Sequence, residues 1–425
     1  MSDNAWLTVL GIGEEGLDSL TPVARTLLDQ ATVLVGGERH LSMLNSPGLN
    51  SSELSSSGLG NDSREKMVWG TPFSSMVEKI LARRGEKICI LASGDPMCFG
   101  VGATFAKRLP LEEMNVVPGI SSYSLACARL GWAMMDVDLF TLHGRPLSLM
   151  HSHIQPGARL LMLSENAKTP SEVADLLIDR GFGDSKITVL EHMGGTKERI
   201  VEGVAYCWSH PSGADLNTIA VECIPTHRAD VLPTVPGLPD DAFVHDGQLT
   251  KRIIRSSTLA ALMPLPGQML WDLGAGCGSI SIEWMRAARG AKAIAVERQQ
   301  ERVSMIAANA QALGTPYLSI KEKTIPEALD EFTKEDARPD AIFVGGGATS
   351  DNLFDRCWAA LKPGGRFVAN VVTLEGEIKL SEWHKKVGGE LNRISVSHAS
   401  PIGPYHGWRP AMPVTQYVVT KRYDG

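Results

Sequence analysis

Paired cysteines are missing from this 425-residue sequence. Its seven cysteines, Cys89, Cys98, Cys127, Cys207, Cys223, Cys277 and Cys357, are scattered, odd in number and nowhere spaced as Cys-x-x-Cys. That excludes a zinc knuckle and a disulfide framework. A basic surplus is missing too. Lys and Arg number 41 against 48 Asp and Glu, a net charge of −7. This is the wrong sign for a chain that lives on phosphate backbones, so no nucleic acid is expected as a partner. No apolar run reaches the roughly 18 residues of a membrane-crossing helix. The opening, MSDNAWLTVLGIG, has no basic leader before its first strand-like run, which argues against a signal peptide. What is present, 43% hydrophobic and 21% charged residues, suffices for two or three cores. The expectation is a cytoplasmic α/β protein with neither membrane nor metal partner.

The 42 glycines gather where short apolar runs meet helical patterns, as the strand ends of a parallel sheet require. In the first half TVLGIG, KICILASGD, MNVVPGISS, LFTLHGRP and RLLMLSEN read as strands running into turns. Helical patterns lie at 19–31, 100–109, 121–130 and 169–180. The second half alternates more regularly. MLWDLGAG, AKAIAVE, DAIFVGGG and GRFVANVV read as buried strands, with helices near 279–289, 299–313 and 350–360. Between the halves, VLPTVPGLPDDAF (231–243) reads as a proline-rich linker. It divides the chain into domains at 1–238 and 239–425. Residues 45–66, rich in Ser, Gly and Asn, read as a surface loop inserted in the first domain.

The strongest local signal is WDLGAGCGSISIEWM at 271–285. A strand ends at Asp272, Gly274, Gly276 and Gly278 follow at every second position, and a helix starts at once. Such glycines allow a tight turn and close approach of a ligand to the backbone. The next strand ends in Glu297, 19 residues past Gly278, where an acid can accept hydrogen bonds from a ribose. Two cofactors use this geometry. A dinucleotide enzyme needs room for a pyrophosphate at the helix N-terminus, and a third glycine or alanine where Ser279 stands. A methyltransferase needs room for the amino-acid end of S-adenosylmethionine, with Asp272 before the loop. The spacing resembles the class I methyltransferase form. The fourth strand runs into Gly345, Gly346 and Gly347, without the Asn/Asp-Pro-Pro-aromatic motif of nucleobase methyltransferases, so a small-molecule target is expected.

The second half then resembles a specific group. DGQLTKRIIR (246–255), the glycine loop, IPEAL (325–329), FVGGG, LKPGGRFVANVVTLE (361–375) and GWRPAMPVTQY (407–417) occur in that order. They are similar to the decarboxylating corrinoid methyltransferase domain of cobalamin biosynthesis. The resemblance implies a class I Rossmann-like fold. It also places Thr250, the loop Gly274, Ala275, Gly276, Cys277 and Gly278, Glu297 and Ile325 at the cofactor.

In the first half, LTVLGIGEEGLDSLT, LASGDPMCFGVG (91–102) and VVPGISSYSLACARLGW (116–132) are singly compatible with capped helices and proline turns. In this order they resemble the tetrapyrrole (class III) methylase family. VGGERHL (35–41), LHGRP (142–146) and MLSEN (162–166) resemble its C5-methylating branch. The resemblance implies a two-lobed α/β fold with S-adenosylmethionine in the cleft, touched by Asp95, Cys98, Ser121, Ser122 and Leu163. Glu14 and Glu15 stand where relatives often carry Pro-Gly, a departure that bears on substrate entry.

Together the resemblances imply two S-adenosylmethionine sites per chain and a precorrin-type tetrapyrrole substrate. They imply methylation of precorrin-6B at C5 and C15, with loss of the C12 acetate carboxyl as CO2, giving precorrin-8. The first domain would serve C5 and the second C15 and the decarboxylation, and relatives of both form homo-oligomers. A carboxylate-rich substrate needs local cations, and Arg145, Lys251, Arg252, Arg255 and Arg409 are the candidates. His245 and His406 are lone histidines to which no role is given. Other readings are an RNA or small-molecule methyltransferase fused to an inactive domain, a nicotinamide dehydrogenase using Glu297, and a non-catalytic tetrapyrrole carrier.

Overall fold

The computed structural model describes residues 5–44, 64–332 and 338–423. Most of the Ser-rich loop at 45–66 lies outside them, and its last residues, Glu65 and Lys66, already belong to a strand. The chain forms two compact units. One comprises residues 1–145 and 156–230, the other residues 146–155 and 231–425.

The first unit has two sheets. Strands β1 (Leu7–Ile12), β2 (Val33–Gly36), β3 (Glu65–Val68), β4 (Ile88–Ser93) and β5 (Met114–Val117) form a parallel sheet in the order β3-β2-β4-β1-β5. Every residue of β1 is buried, as a central parallel strand covered on both faces requires. Helices α1 (Pro22–Asp29), α2 (Glu38–Met43), α3 (Phe73–Leu81) and α4 (Val101–Phe105) connect these strands. Proline at the first position and a Thr21 side chain accepting from the Ala24 N–H start α1. After α5 (Ser122–Leu130), which ends at Gly131 in the left-handed conformation, comes the second sheet. Its strands are β6 (Asp138–Thr141), β7 (Arg159–Leu163), β8 (Lys186–Glu191), β9 (Arg199–Val204) and β10 (Asn217–Glu222), ordered β6-β7-β10-β8-β9, with α6 (Thr169–Asp179) between β7 and β8.

The second unit begins its regular structure with α7 (Arg252–Leu262), then alternates β11 (Met269–Leu273), α8 (Ser279–Ala287), β12 (Lys292–Glu297), α9 (Gln300–Ala312), β13 (Ser319–Glu322), α10 (Ile325–Phe332), β14 (Ala341–Val344), α11 (Leu353–Ala360) and β15 (Arg366–Val371). Helix α12 (Leu374–Val387) and strands β16 (Glu390–Ile394), β17 (Ser397–Ile402), β18 (Tyr405–Pro410) and β19 (Val414–Thr420) complete it. The sheet order is β13-β12-β11-β14-β15-β19-β16, and only β19 runs against its neighbours. The order reverses at β11, which opens a crevice between the carboxyl ends of β11 and β14. Strands β17 and β18 form a separate two-stranded hairpin. This is the α/β, Rossmann-like architecture expected from the alternation.

The proline-rich segment 231–243 is not a spacer. Leu238 and Phe243 are buried in the core that α8 and β11 share. Prolines remove backbone donors, and the N–H groups of Gly237 and Leu238 donate to the Glu283 carboxylate at 2.5 and 3.1 Å. Arg255, expected to meet substrate, closes the same network and is fully buried. It donates to Glu283 at 2.6 Å, to Asp240 at 3.0 Å, to the Thr250 carbonyl at 2.6 Å and to the Leu238 carbonyl. With four of its five N–H donors so engaged and its side chain fully buried, this guanidinium is not presented to a ligand, and its role is to pin the strap.

A buried ion pair broken on one side leaves an uncompensated charge. Glu283→Ala should therefore cost the second unit about 3–5 kcal/mol, read as a lowered midpoint of that unit's transition in urea denaturation.

Candidate functional site

In the first unit three loops meet at the carboxyl edge of the parallel sheet. The Gly94 N–H donates to the Ile12 carbonyl and the Gly119 N–H to the Gly94 carbonyl, each at 3.0 Å. A Cβ on Gly11 would lie 1.8 Å from the Gly94 oxygen, so glycine is obligatory there. This convergence places Asp95, Ser121 and Ser122 along one edge. Asp95 accepts from the Met97 N–H at 2.8 Å. Ser121 caps α5 by accepting from the Ser124 N–H at 3.1 Å. Cys98 and Leu163 pack against one apolar cluster that contains Tyr123. Burial, with Asp95 nearby, pushes the Cys98 thiol up, so it stays protonated and serves as an apolar contact. Arg145 is exposed, its guanidinium 5.4 Å from the Phe99 ring centre.

The unusual Glu14 is not loose. Arg39 pairs with it, and its other oxygen lies 3.0 Å from His192 Nδ1. Arg39 also donates to Ser93 Oγ at 2.7 Å, beside the Gly94 turn. His40 lies 2.9 Å from the same hydroxyl, and burial plus Arg39 lower its pKa to about 4. The opening loop is thereby fastened to both lobes of this unit.

In the second unit a cavity of about 1690 Å³ opens at the carboxyl ends of β11, β12 and β14. Thr250, Gly274, Ala275, Gly276, Glu297 and Ile325 line it, as do Lys251 and Arg252. Gly274, with φ 76°, lies against the 345–347 turn, where a Cβ would meet the Gly346 nitrogen at 2.9 Å. The three glycines noted for lacking a nucleobase motif thus form the facing wall. Glu297 accepts from the N–H groups of Gly276, Arg298 and Gln299 at 3.0, 2.9 and 3.1 Å. A carboxylate offers about four acceptor positions, so a ribose diol would have to exchange with one loop donor.

Asp272, Cys277 and Gly278 are not at the cavity wall. Asp272 is completely buried and accepts from the Ser281 N–H at 3.1 Å and the Ser281 hydroxyl at 2.6 Å. It ties the start of α8 beneath the loop instead of meeting a ligand from within it. Cys277 is likewise buried, and its carbonyl accepts from Asn309 at 3.0 Å.

Asn370 and His398, which the sequence reading passed over, also line the cavity. The Asn370 side chain donates to Thr258 Oγ1 at 2.8 Å and accepts from Gln416 Nε2 at 3.0 Å. Gln416 is its cross-strand neighbour on β19. A polar residue inside the otherwise apolar run FVANVV (367–372) was the available signal. Arg409 lies directly opposite His398 on the hairpin. Trp408 and Pro410 beside it alternate to the other face.

Comparison with known proteins also divides the chain in two. Residues 7–206 match the tetrapyrrole (corrin/porphyrin) methylase family, and residues 241–421 match the precorrin methyltransferase domain. A relative from Sinorhizobium sp., named precorrin-6Y C(5,15)-methyltransferase [decarboxylating], is 44% identical over 98% of this chain and 96% of its own. A cobalt-precorrin-7 C(5)-methyltransferase from Salmonella typhimurium is 31% identical over 46% of this chain and 88% of its own. The crystal structure of the C-terminal domain of precorrin-6Y C5,15-methyltransferase from Rhodobacter capsulatus is 42% identical. It covers 45% of this chain and 100% of its own, with a TM-score of 0.42.

Burial raises the Asp272 pKa from 3.8 to about 6. Between those values the folded chain holds a proton that the unfolded chain has released, so this residue's contribution to stability is lost as pH rises through about 6. Asp272→Asn should flatten that part of the profile, measured as the urea midpoint of the second unit against pH for both proteins.

Proposed function

The chain belongs to the precorrin-6Y C(5,15)-methyltransferase (decarboxylating) family, and from that membership we propose that its two units are two separate methylation centres on one polypeptide. The family makes the chain an S-adenosylmethionine-dependent C-methyltransferase of cobalamin biosynthesis. The first unit serves C5 of a precorrin. The second serves C15 and removes the carboxyl of the C12 acetate, so that precorrin-6B leaves as precorrin-8. The supporting observation is that each unit has its own carboxyl sheet edge where backbone loops meet too closely for a side chain, at Gly11 and at Gly274.

Asp95, Cys98, Ser121, Ser122 and Leu163 hold S-adenosylmethionine in the first unit, and Thr250, Gly274, Ala275, Gly276, Glu297 and Ile325 hold it in the second. The sulfonium supplies an electrophilic methyl and a good leaving group. An enamine-like carbon of the macrocycle attacks the methyl carbon as the S–C bond breaks, and S-adenosylhomocysteine departs. The protein's main contribution to this step is to hold carbon, methyl and sulfur in line. Lys251 and Arg252 at the second cavity, with Arg409 on the hairpin and Arg145 in the first unit, pair with the substrate's carboxylates. The partners are this tetrapyrrole and further copies of the chain, with no nucleic acid, in the cytoplasm. Among the described residues no helix is long and apolar enough to cross a membrane.

Self-association is assigned to the outer face of the hairpin. A two-stranded ribbon is marginally stable alone in water, yet this one leaves Trp408 77% exposed. Trp408→Glu should lower the mass measured by light scattering after gel filtration.

Calorimetric titration with S-adenosylhomocysteine should give two sites per chain. Asp95→Ala should abolish or weaken one. Glu297→Ala should weaken the other by about 1.5–3 kcal/mol, the worth of hydrogen bonds to a charged group. A single site, lost only with Glu297→Ala, overturns the two-centre reading.

A further inference from the structure

Resting on that reading, the second unit's reaction leaves one proton to be moved. The C12 acetate loses CO2, and the electron pair left on its methylene carbon flows through the conjugated ring to C15. C15 takes the methyl group and the sulfonium leaves as neutral S-adenosylhomocysteine. The result carries an exocyclic methylene at C12, and both a hydrogen and the new methyl at C15. Completion requires that C15 lose its proton and that the methylene carbon gain one to become a methyl. No net proton enters or leaves, so one group that accepts a proton and gives it back closes the sequence.

We propose that His398, on the β17–β18 hairpin at the cavity wall, is that proton carrier, and that Arg409, opposite it across the hairpin, fixes a neighbouring substrate carboxylate. His398 contributes the only imidazole among the described residues lining the cavity, and imidazole is the side chain that both donates and accepts near neutral pH. Apart from Asp241, which the test below addresses, the other ionisable lining groups are poorly suited. Glu297 accepts three backbone hydrogen bonds, and Asp240 accepts from Arg255 and the Arg252 N–H. Arg302 is paired with Asp246, and Lys323 with Glu331. Lys251, Arg252 and Arg298 carry hydrogen-bond donors and no acceptor.

The surroundings fit the chemistry. Val396, two residues before His398, lines the same cavity, as do Ala411, Met412 and Val414 just past the paired strand β18. Apolar walls disfavour a carboxylate relative to neutral CO2. The register pairs His398 directly with Arg409, which puts both side chains on one face with Cβ atoms about 4.5–5.5 Å apart. A guanidinium at that distance can hold one of the substrate's other carboxylates while the imidazole reaches the ring.

The test supplies precorrin-6B and S-adenosylmethionine to the full-length chain and follows three signals: S-adenosylhomocysteine, CO2 and the C12 methyl resonance. His398→Gln should still release S-adenosylhomocysteine and CO2 while the methylene tautomer accumulates, with the final proton transfer slowed about 10²–10⁴-fold. Added imidazole should restore the C12 methyl in His398→Ala, which a merely structural role would not permit. Arg409→Ala should raise the KM for precorrin-6B and leave the S-adenosylhomocysteine affinity unchanged. A C12 methyl formed by His398→Gln at the wild-type rate overturns the assignment, as does a methylene tautomer that accumulates with Asp241→Asn instead. A wild-type chain that releases no CO2 and no S-adenosylhomocysteine overturns the underlying two-centre reading as well.

Discussion

The structure depends on one constraint: at the carboxyl edge of each principal sheet, backbone must approach backbone more closely than any Cβ allows. Parallel strands bury both faces beneath helices, so the strand ends are where a ligand can reach the fold. In the first unit Gly94 donates to the Ile12 carbonyl and accepts from the Gly119 N–H, both at 3.0 Å, and an added Cβ on Gly11 would overlap the Gly94 oxygen. In the second unit the 274 and 346 turns touch under the same limit. Each floor positions the residues one or two places further along, Asp95 and Ser121 in one unit, Ala275 and Gly276 in the other.

Such a floor is useful only if the elements beneath it do not shift. Asp272 does this for the second unit from below the loop, through Ser281 at the start of α8. Arg255 and Glu283 do it from the side, by drawing the 237–240 strap onto α7 and α8. Asp240 and Asp241 at the end of that strap line the cavity, so a network without an exposed atom at its centre still fixes part of the cavity wall. Asn370 follows the same logic, since Thr258 and Gln416 engage both ends of its amide and orient what remains.

The parallel strands were legible because burial on both faces produces uninterrupted apolar runs. WDLGAG, AIAVE and AIFVGGG became β11, β12 and β14 with their turns, close to the expected limits. Glu297 followed from its place at the end of the second strand and Thr250 only from the family resemblance, and both line the cavity. What stayed hidden was hidden for physical reasons. Asp272 looks like a ligand contact because it precedes the loop, but strand alternation and its bond to Ser281 turn it inward. Arg255 sits beside Lys251 and Arg252 in a basic run, yet helical periodicity puts it on the buried side of α7. The prolines at 233, 236 and 239 suggest a spacer because the compensating acceptor, Glu283, is more than forty residues away. The β17–β18 hairpin carries no alternating apolar signal, since it has no core to face.

A net charge of −7 appears at odds with a substrate decorated with carboxylates, but the cations are not distributed evenly. Arg255, Arg302 and Lys323 are neutralised by Glu283, Asp246 and Glu331, and they add little field at the cavity. Lys251 and Arg252 stand exposed at its rim, at the N-terminal end of α7, where the helix dipole also favours an anion. Local charges and the helix dipole therefore make that rim attractive to carboxylates, although the chain as a whole repels them. Salt screens such a field over about 8–10 Å. The rim cations lie at the start of α7 and the glycine turn at the end of β11, so different elements supply the charge and the close backbone approach.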